Sequence, residues 1–283
     1  SGDITIDNDG EDSGVVRSAA GTVALHAGGI ITTTSYSDDA ADNEIETSGD
    51  VWMQADGGAI GSDDQRIELS GDGLTLAARA GGAIYLRQHD GNVNIGRVDQ
   101  PNGSPMFLVG LASANNGDIT LTTSGGTITI TEGISANGSG YVDLRTGGSG
   151  DIAINNDGSD LGSINSTSGT LQLLAGGAIT ANADTDNEAE LTTAGAVMLE
   201  AANGIGSIDN HVEIDAQTLA VRTLVDGDIF LGQVGGGDLV IATVNAVNNG
   251  AGVVKFDKVI GGTSVLDSGD ASLAGAQTVS GDA

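Results

Sequence analysis

Residues 169–180 read GTLQLLAGGAIT, and the fold turns on how that line is parsed. A glycine opens it, apolar residues alternate at Leu171, Leu173 and Ala175, a Gly-Gly pair interrupts, and Ile179 restarts the pattern. Alternation with a period of two marks a strand with one face buried. The glycine pair marks a turn, where positive φ carries no steric cost. Close variants of this unit recur as GTVALHAGGI (21–30), GLTLAARAGGAI (73–84), GDITLTTSGGTITI (117–130) and GAVMLEAANGIG (195–206). Gly-Gly pairs stand at 28, 57, 81, 125, 147 and 176, spaced by 22–29 residues or about twice that, as the coils of a solenoid are. No window holds three-and-four apolar spacing long enough for a helix, and Gly and β-branched residues both disfavour one.

Strand, turn, strand, turn, repeated about a dozen times, predicts an all-β chain wound as a parallel β-helix, or β-solenoid. A single coil cannot bury its inward Ile, Val and Leu. Coils stacked about 4.8 Å apart align like side chains into continuous ladders. A β-sandwich or β-roll array is the competing fold. Hairpins, however, usually carry two-residue turns, a polar exposed face and shorter repeats.

A larger repeat overlies the small one. Residues 1–29, SGDITIDNDGEDSGVVRSAAGTVALHAGG, match residues 149–177, SGDIAINNDGSDLGSINSTSGTLQLLAGG, without a gap. With an offset of 145, residues 60–86 overlay 205–231, pairing Ile67 with Val212, Leu74 with Leu219, Leu76 with Val221 and Ile84 with Ile229. The expected organisation is one continuous solenoid over 1–283, built from repeat 1 (1–148) and repeat 2 (149–283). The copies diverge after about residue 98, and DQPNGSPMF (99–107) has no partner and holds both prolines. A protruding loop is expected there.

The chain has 283 residues, 47 of them Gly, with no Cys, 2% aromatics and a formal charge of −30. Such acidity argues against nucleic acid, whose phosphates would be repelled, and against an anionic membrane surface. It suits solubility and attracts divalent cations. No apolar run reaches the length of a membrane span, so no membrane insertion is expected. Hydrophobic residues make up 39% and are evenly spread, unlike those of a disordered acidic tail. The start at Ser1, with no Met and no leader, reads as a processed product or an excised segment.

The glycine-punctuated units, written G-x-V-x-L-x-A-G-G-x-I, resemble the repeats of filamentous-haemagglutinin-like exoproteins of the two-partner secretion class. The resemblance runs through nearly the whole chain and marks an architecture more than an activity. It implies a right-handed parallel β-helix, secreted to the cell surface of a Gram-negative-type bacterium, in a fibre, filament or adhesin.

Two segments carry calcium-like chemistry. DNDGED (7–12) and NNDGSD (155–160) cluster oxygen ligands around a glycine, as calcium requires. Asp7, Asp9, Asp12, Asp157 and Asp160 are the candidate metal ligands, and calcium is the one cofactor suggested. An EF-hand register fails, because it puts Thr5 at the first ligand position and Val16 at the closing one. The same residues also read as ordinary turn formers. The acidic groups Asp38, Asp39, Asp42 and Glu44, and Asp184, Asp186, Glu188 and Glu190, read as solvated faces.

Enzymatic chemistry finds little footing. A polysaccharide-cleaving site needs clustered carboxylates, cationic support and aromatic platforms. Arg66, Arg79, Arg87, Arg97, Arg145 and Arg222 are scattered, Trp52 is the only tryptophan, and His26, His89 and His211 share no useful spacing. Ice binding would need Thr-x-Thr at one fixed coil position, and Thr does not recur that way. The expectation is a non-enzymatic structural protein, self-associating end to end or continuing the same polypeptide. The rival reading is the shaft of an adhesin with a cell-surface or glycan receptor.

Overall fold

The computed structural model describes residues 2–8, 14–34, 43–101, 105–155, 162–182, 188–225, 227–234 and 239–241, with the backbone of strand Ser264–Asp267. All regular elements among the described residues are strands, 28 in number, and every ladder but one is parallel. The chain is a parallel β-solenoid.

One ladder conveys the architecture. Ile4, Ile31, Ile60, Ile84, Ile119, Val142, Leu171, Val197, Leu219 and Ile241 lie in register, each above the last. A second column runs Leu74, Val93, Ile128, Ile152, Ile179, Ile205, Ile229. A third runs Leu25, Met53, Ala78, Leu111, Ile134, Ile164, Leu191, Ile214. These inward columns form one continuous core, and from Ile31 to Leu219 almost every member is fully buried. Each such side chain contributes roughly 1.5–3 kcal/mol relative to an exposed one.

There are about eight turns, fewer than the dozen expected. A middle turn uses three strands, as in Ile119–Thr123, Ile128–Ile130 and Ile134–Ala136, so each winding consumes more chain than a two-strand coil.

The faces are not straight columns. Strand Leu74–Ala80 serves two: Leu74 and Leu76 pair with Val93 and Ile95, whereas Ala78 and Ala80 pair with Leu111 and Ser113. Strand Ile84–Gln88 merges two, taking Ile60 at Ile84 and Ile67 at Leu86. The merger recurs at strand Ile229–Gln233, which takes Ile205 at Ile229 and Val212 at Leu231.

The register departs from the sequence overlay at one strand. Val51 lies beside Leu76, and its counterpart Val197 lies beside Leu219, so Leu219 occupies the place of Leu76 rather than Leu74. Two residues are lost ahead of strand Thr218–Thr223 and two are regained after it. A slip of two keeps every side chain on its own face.

The glycine pairs also act differently from the expectation. Among the six pairs only Gly148 has positive φ. Elsewhere the constraint is close approach between stacked turns: a Cβ on Gly176 would lie 2.5 Å from Gly148 O, and one on Gly81 would lie 2.5 Å from Asp56 O. Buried hydroxyls near the corners complete the stack. Thr123 donates to Gly126 O at 2.6 Å, Ser166 to Gly140 O at 2.6 Å and Thr193 to Gly169 O at 2.7 Å. These carbonyls have left water and need such a donor.

The protruding segment is an antiparallel pair, Arg97–Asp99 with Phe107–Val109. It folds back over the flank, where Val98 and Leu108 cover Trp52 and Ala77. Trp52 points away from the core yet is fully buried.

Candidate functional site

Of the five candidate calcium ligands, only Asp7 lies among the described residues; Asp9, Asp12, Asp157 and Asp160 lie outside them. Asp7 is exposed, and its Oδ1 accepts a 2.6 Å hydrogen bond from Thr34 Oγ1 on the next turn. No group of three or more His, Asp or Glu among the described residues is arranged to hold a metal ion.

The acidic groups read as solvated faces are corrected at two positions. Glu44 and Glu190 are fully buried. Glu44 sits just ahead of strand Ile45–Glu46 and bridges Thr33 of its own turn to Glu68 of the next. Thr33 Oγ1 donates to Glu44 Oε1 and Glu68 N donates to Glu44 Oε2, both at 2.7 Å. Burial pushes the Glu44 carboxyl up to about 7 and the neighbouring Glu68 adds to the rise, while both hydrogen bonds oppose it. Glu68 is itself buried, and its Oε1 lies 3.1 Å from His89 Nε2 without hydrogen-bond alignment. Repeat 2 carries the same device: Glu213 N donates to Glu190 Oε2 at 2.5 Å. Sequence reasoning missed this pair because it weighed each acidic run by composition. The usable signal was that Glu44 and Glu68 recur as Glu190 and Glu213 beside the same apolar positions.

A second polar group lies on the outward side of a neighbouring face, where Tyr85, Thr120, Asp143 and Gln172 stack in register. Tyr85 Oη donates to Asp118 Oδ2 at 3.3 Å, and Tyr141 N donates to Asp118 Oδ1 at 3.0 Å. Asp143 is buried and accepts from Arg145 Nε at 2.9 and 3.0 Å and from Gln172 Nε2 at 2.7 Å. Burial raises all four titrating groups, Tyr85, Asp118, Tyr141 and Asp143, the last against the pull of Arg145. Each carboxylate here is engaged by donors of the same or the adjoining turns, which ties strands together.

Two of the scattered arginines find partners by stacking, Arg17 with Glu46 at 2.6 Å and Arg222 with Glu200, while Arg66 pairs locally with Asp63 at 3.2 Å. The histidines separate: His26 is exposed, 2.9 Å from Asp56 and edge-on to Trp52; His211 packs against Phe230; His89 is buried. A surface groove of about 590 Å³ lies at the corner of Thr193, Asp215 and Gln217, with Asp215 its one ionisable group among the described residues.

The first three strands pair on one side only among the described residues: Ile4–Ile6 with Ile31–Thr33, Val16–Arg17 with Ile45–Glu46, and Val23–Ala27 with Asp50–Ala55. Together they are the first parallel rung of the described stack. With the geometry in place, comparison with protein-family models, curated proteins and solved structures finds no match to this chain.

Proposed function

We propose that this chain is a structural segment of a secreted cell-surface filament of the filamentous-haemagglutinin-like kind, assembled by end-to-end stacking of β-solenoids. The observation that carries this reading is the unbroken apolar ladder from Ile4 to Ile241, whose first rung, Ile4–Ile6, Val16–Arg17 and Val23–Ala27, pairs on one side only among the described residues. An uncovered edge of parallel strands is a template for strand addition. Repetition of stacked rungs suits a load-bearing body, and the charge of −30 keeps neighbouring filaments apart. Negative-stain imaging of the purified chain tests this: long regular fibres support it, and a uniform population of short rods refutes it.

A second reading is the shaft of a secreted adhesin. It is favoured by the antiparallel arm, whose Met106, Phe107 and Val109 are about half exposed on a chain with few aromatics. Arg97 stacks 3.9 Å from the Phe107 ring centroid, holding that ring outward. Cell- or glycan-binding that disappears in the Met106→Ser/Phe107→Ser double variant supports this reading, and binding that persists removes the arm from it.

A further inference from the structure

We infer that Tyr85 and Tyr141 are a site of oxidative cross-linking, where a haem peroxidase with hydrogen peroxide joins the two rings into a dityrosine that staples three successive rungs. This goes beyond the filament reading and does not depend on it.

The chain has three tyrosines, and the fold brings Tyr85 and Tyr141 together. Ile84, Ile119 and Val142 stack in register on three successive rungs, so Tyr85 belongs to the first and Tyr141 to the third. Asp118 and Thr120 stand on the rung between. The two tyrosine side chains are hydrogen-bonding neighbours across that middle rung. Tyr85 Oη donates to Asp118 Oδ2 at 3.3 Å, and Tyr141 N donates to Asp118 Oδ1 at 3.0 Å. One carboxylate thus holds both residues. Thr120 points outward on the same face, yet it is fully buried and hydrogen-bonds Tyr141. The two phenols are half-buried, held in place but open to a small oxidant. Phenols that meet at their hydroxyls also bring together the ring carbons next to each oxygen, which are the carbons that couple.

Burial raises both phenols above their ordinary range, so each is un-ionised at neutral pH and must shed a proton as its electron leaves. Asp118 already accepts the Tyr85 hydrogen bond, and burial lifts this carboxyl too, making it a readier proton acceptor. The balance is simple. Each phenol loses one electron and one proton, and the two hydrogens reduce one hydrogen peroxide to two waters. The resulting phenoxyl radicals form one carbon–carbon bond. The hydrogen on each coupled carbon then moves to its own oxygen, which restores two phenols.

The test treats the dilute full chain with hydrogen peroxide and a haem peroxidase, then isolates and digests the monomer with trypsin. Peptides 80–87 and 98–145, joined with the loss of two hydrogens, should exceed any other tyrosine pair by roughly tenfold, because the fold fixes the reacting groups side by side. Absence of that joined pair overturns the inference. Equal yield from the chain unfolded in urea overturns it as well, since proximity would then owe nothing to stacking. Tyr85→Phe keeps the ring and removes the hydroxyl, and should abolish the dityrosine fluorescence of the monomer; fluorescence at the wild-type level refutes the pairing. Asp118→Asn should slow the coupling at least tenfold, and an unchanged rate refutes Asp118 as the proton acceptor.

Discussion

Replacing Glu44 by glutamine tests how a buried carboxyl sets the pH response of the solenoid. The acid is fully buried between Thr33 Oγ1 and Glu68 N, and burial lifts it from its ordinary 4.5 to about 7. Its folded-state proton affinity therefore exceeds that of the unfolded chain. The stability this contributes is fully present below pH 4.5 and is lost as pH rises through about 7. At ~1.4 kcal/mol per tenfold difference in proton affinity, the loss is roughly 3 kcal/mol.

Glutamine reproduces the protonated acid: its oxygen accepts from Glu68 N and its amide donates to Thr33 Oγ1, whose hydroxyl turns to accept. Charge repulsion across the chain also changes with pH, so the informative quantity is the difference between the two proteins. Urea unfolding of wild type and Glu44→Gln at pH 4.5, 6 and 8 should show nearly equal stability at the lowest pH. The variant should gain about 3 kcal/mol over wild type at the highest. Parallel pH profiles would refute the reasoning, because Glu44 would then be as easily ionised folded as unfolded.

Three further outcomes follow from packing. Gly176→Ala places a methyl 2.5 Å from Gly148 O, and should cost about 1–3 kcal/mol in urea melts, with far-UV dichroism keeping its strand signature. Ile134→Ala empties a fully buried ladder position between Leu111 and Ile164; a loss of about 2–5 kcal/mol is expected, and a loss under about 1 kcal/mol would mean the columns are not packed. Val98→Asp puts a charge against Trp52, which is fully buried and the only tryptophan. The arm should lift, shifting tryptophan emission to the red while the strand signature persists. Unchanged emission would mean that something other than the arm covers Trp52.

The fold was legible because period-two alternation and glycine pairs speak directly of faces and corners. Ile128, Ile130, Ile152 and Ile154 were readable as inward residues from their spacing alone. The two-residue slip at Leu76 and Leu219 was not, since a shift by an even number leaves the inward set inward. Only the pairing partners Val51 and Val197 reveal it. Trp52 misled for a related reason. Its parity says outward, and what buries it is an arm some 45 positions later in the chain. Glu44 was hidden because charge predicts exposure, whereas the Thr33 hydroxyl of its own turn and the Glu68 amide of the next made burial tolerable.

Stacking identical rungs would set like charges directly over one another, which is unfavourable in a parallel ladder of strands. One outward column shows how this chain avoids it: Glu68, Arg87, Thr122, Arg145, Leu174, Glu200 and Arg222 follow in register. Neighbouring rungs differ, and a like charge returns no sooner than two rungs away, as Arg87 and Arg145 do. Duplication of a block of several rungs is thus compatible with the acid content, while duplication of a single rung would align carboxylates with carboxylates.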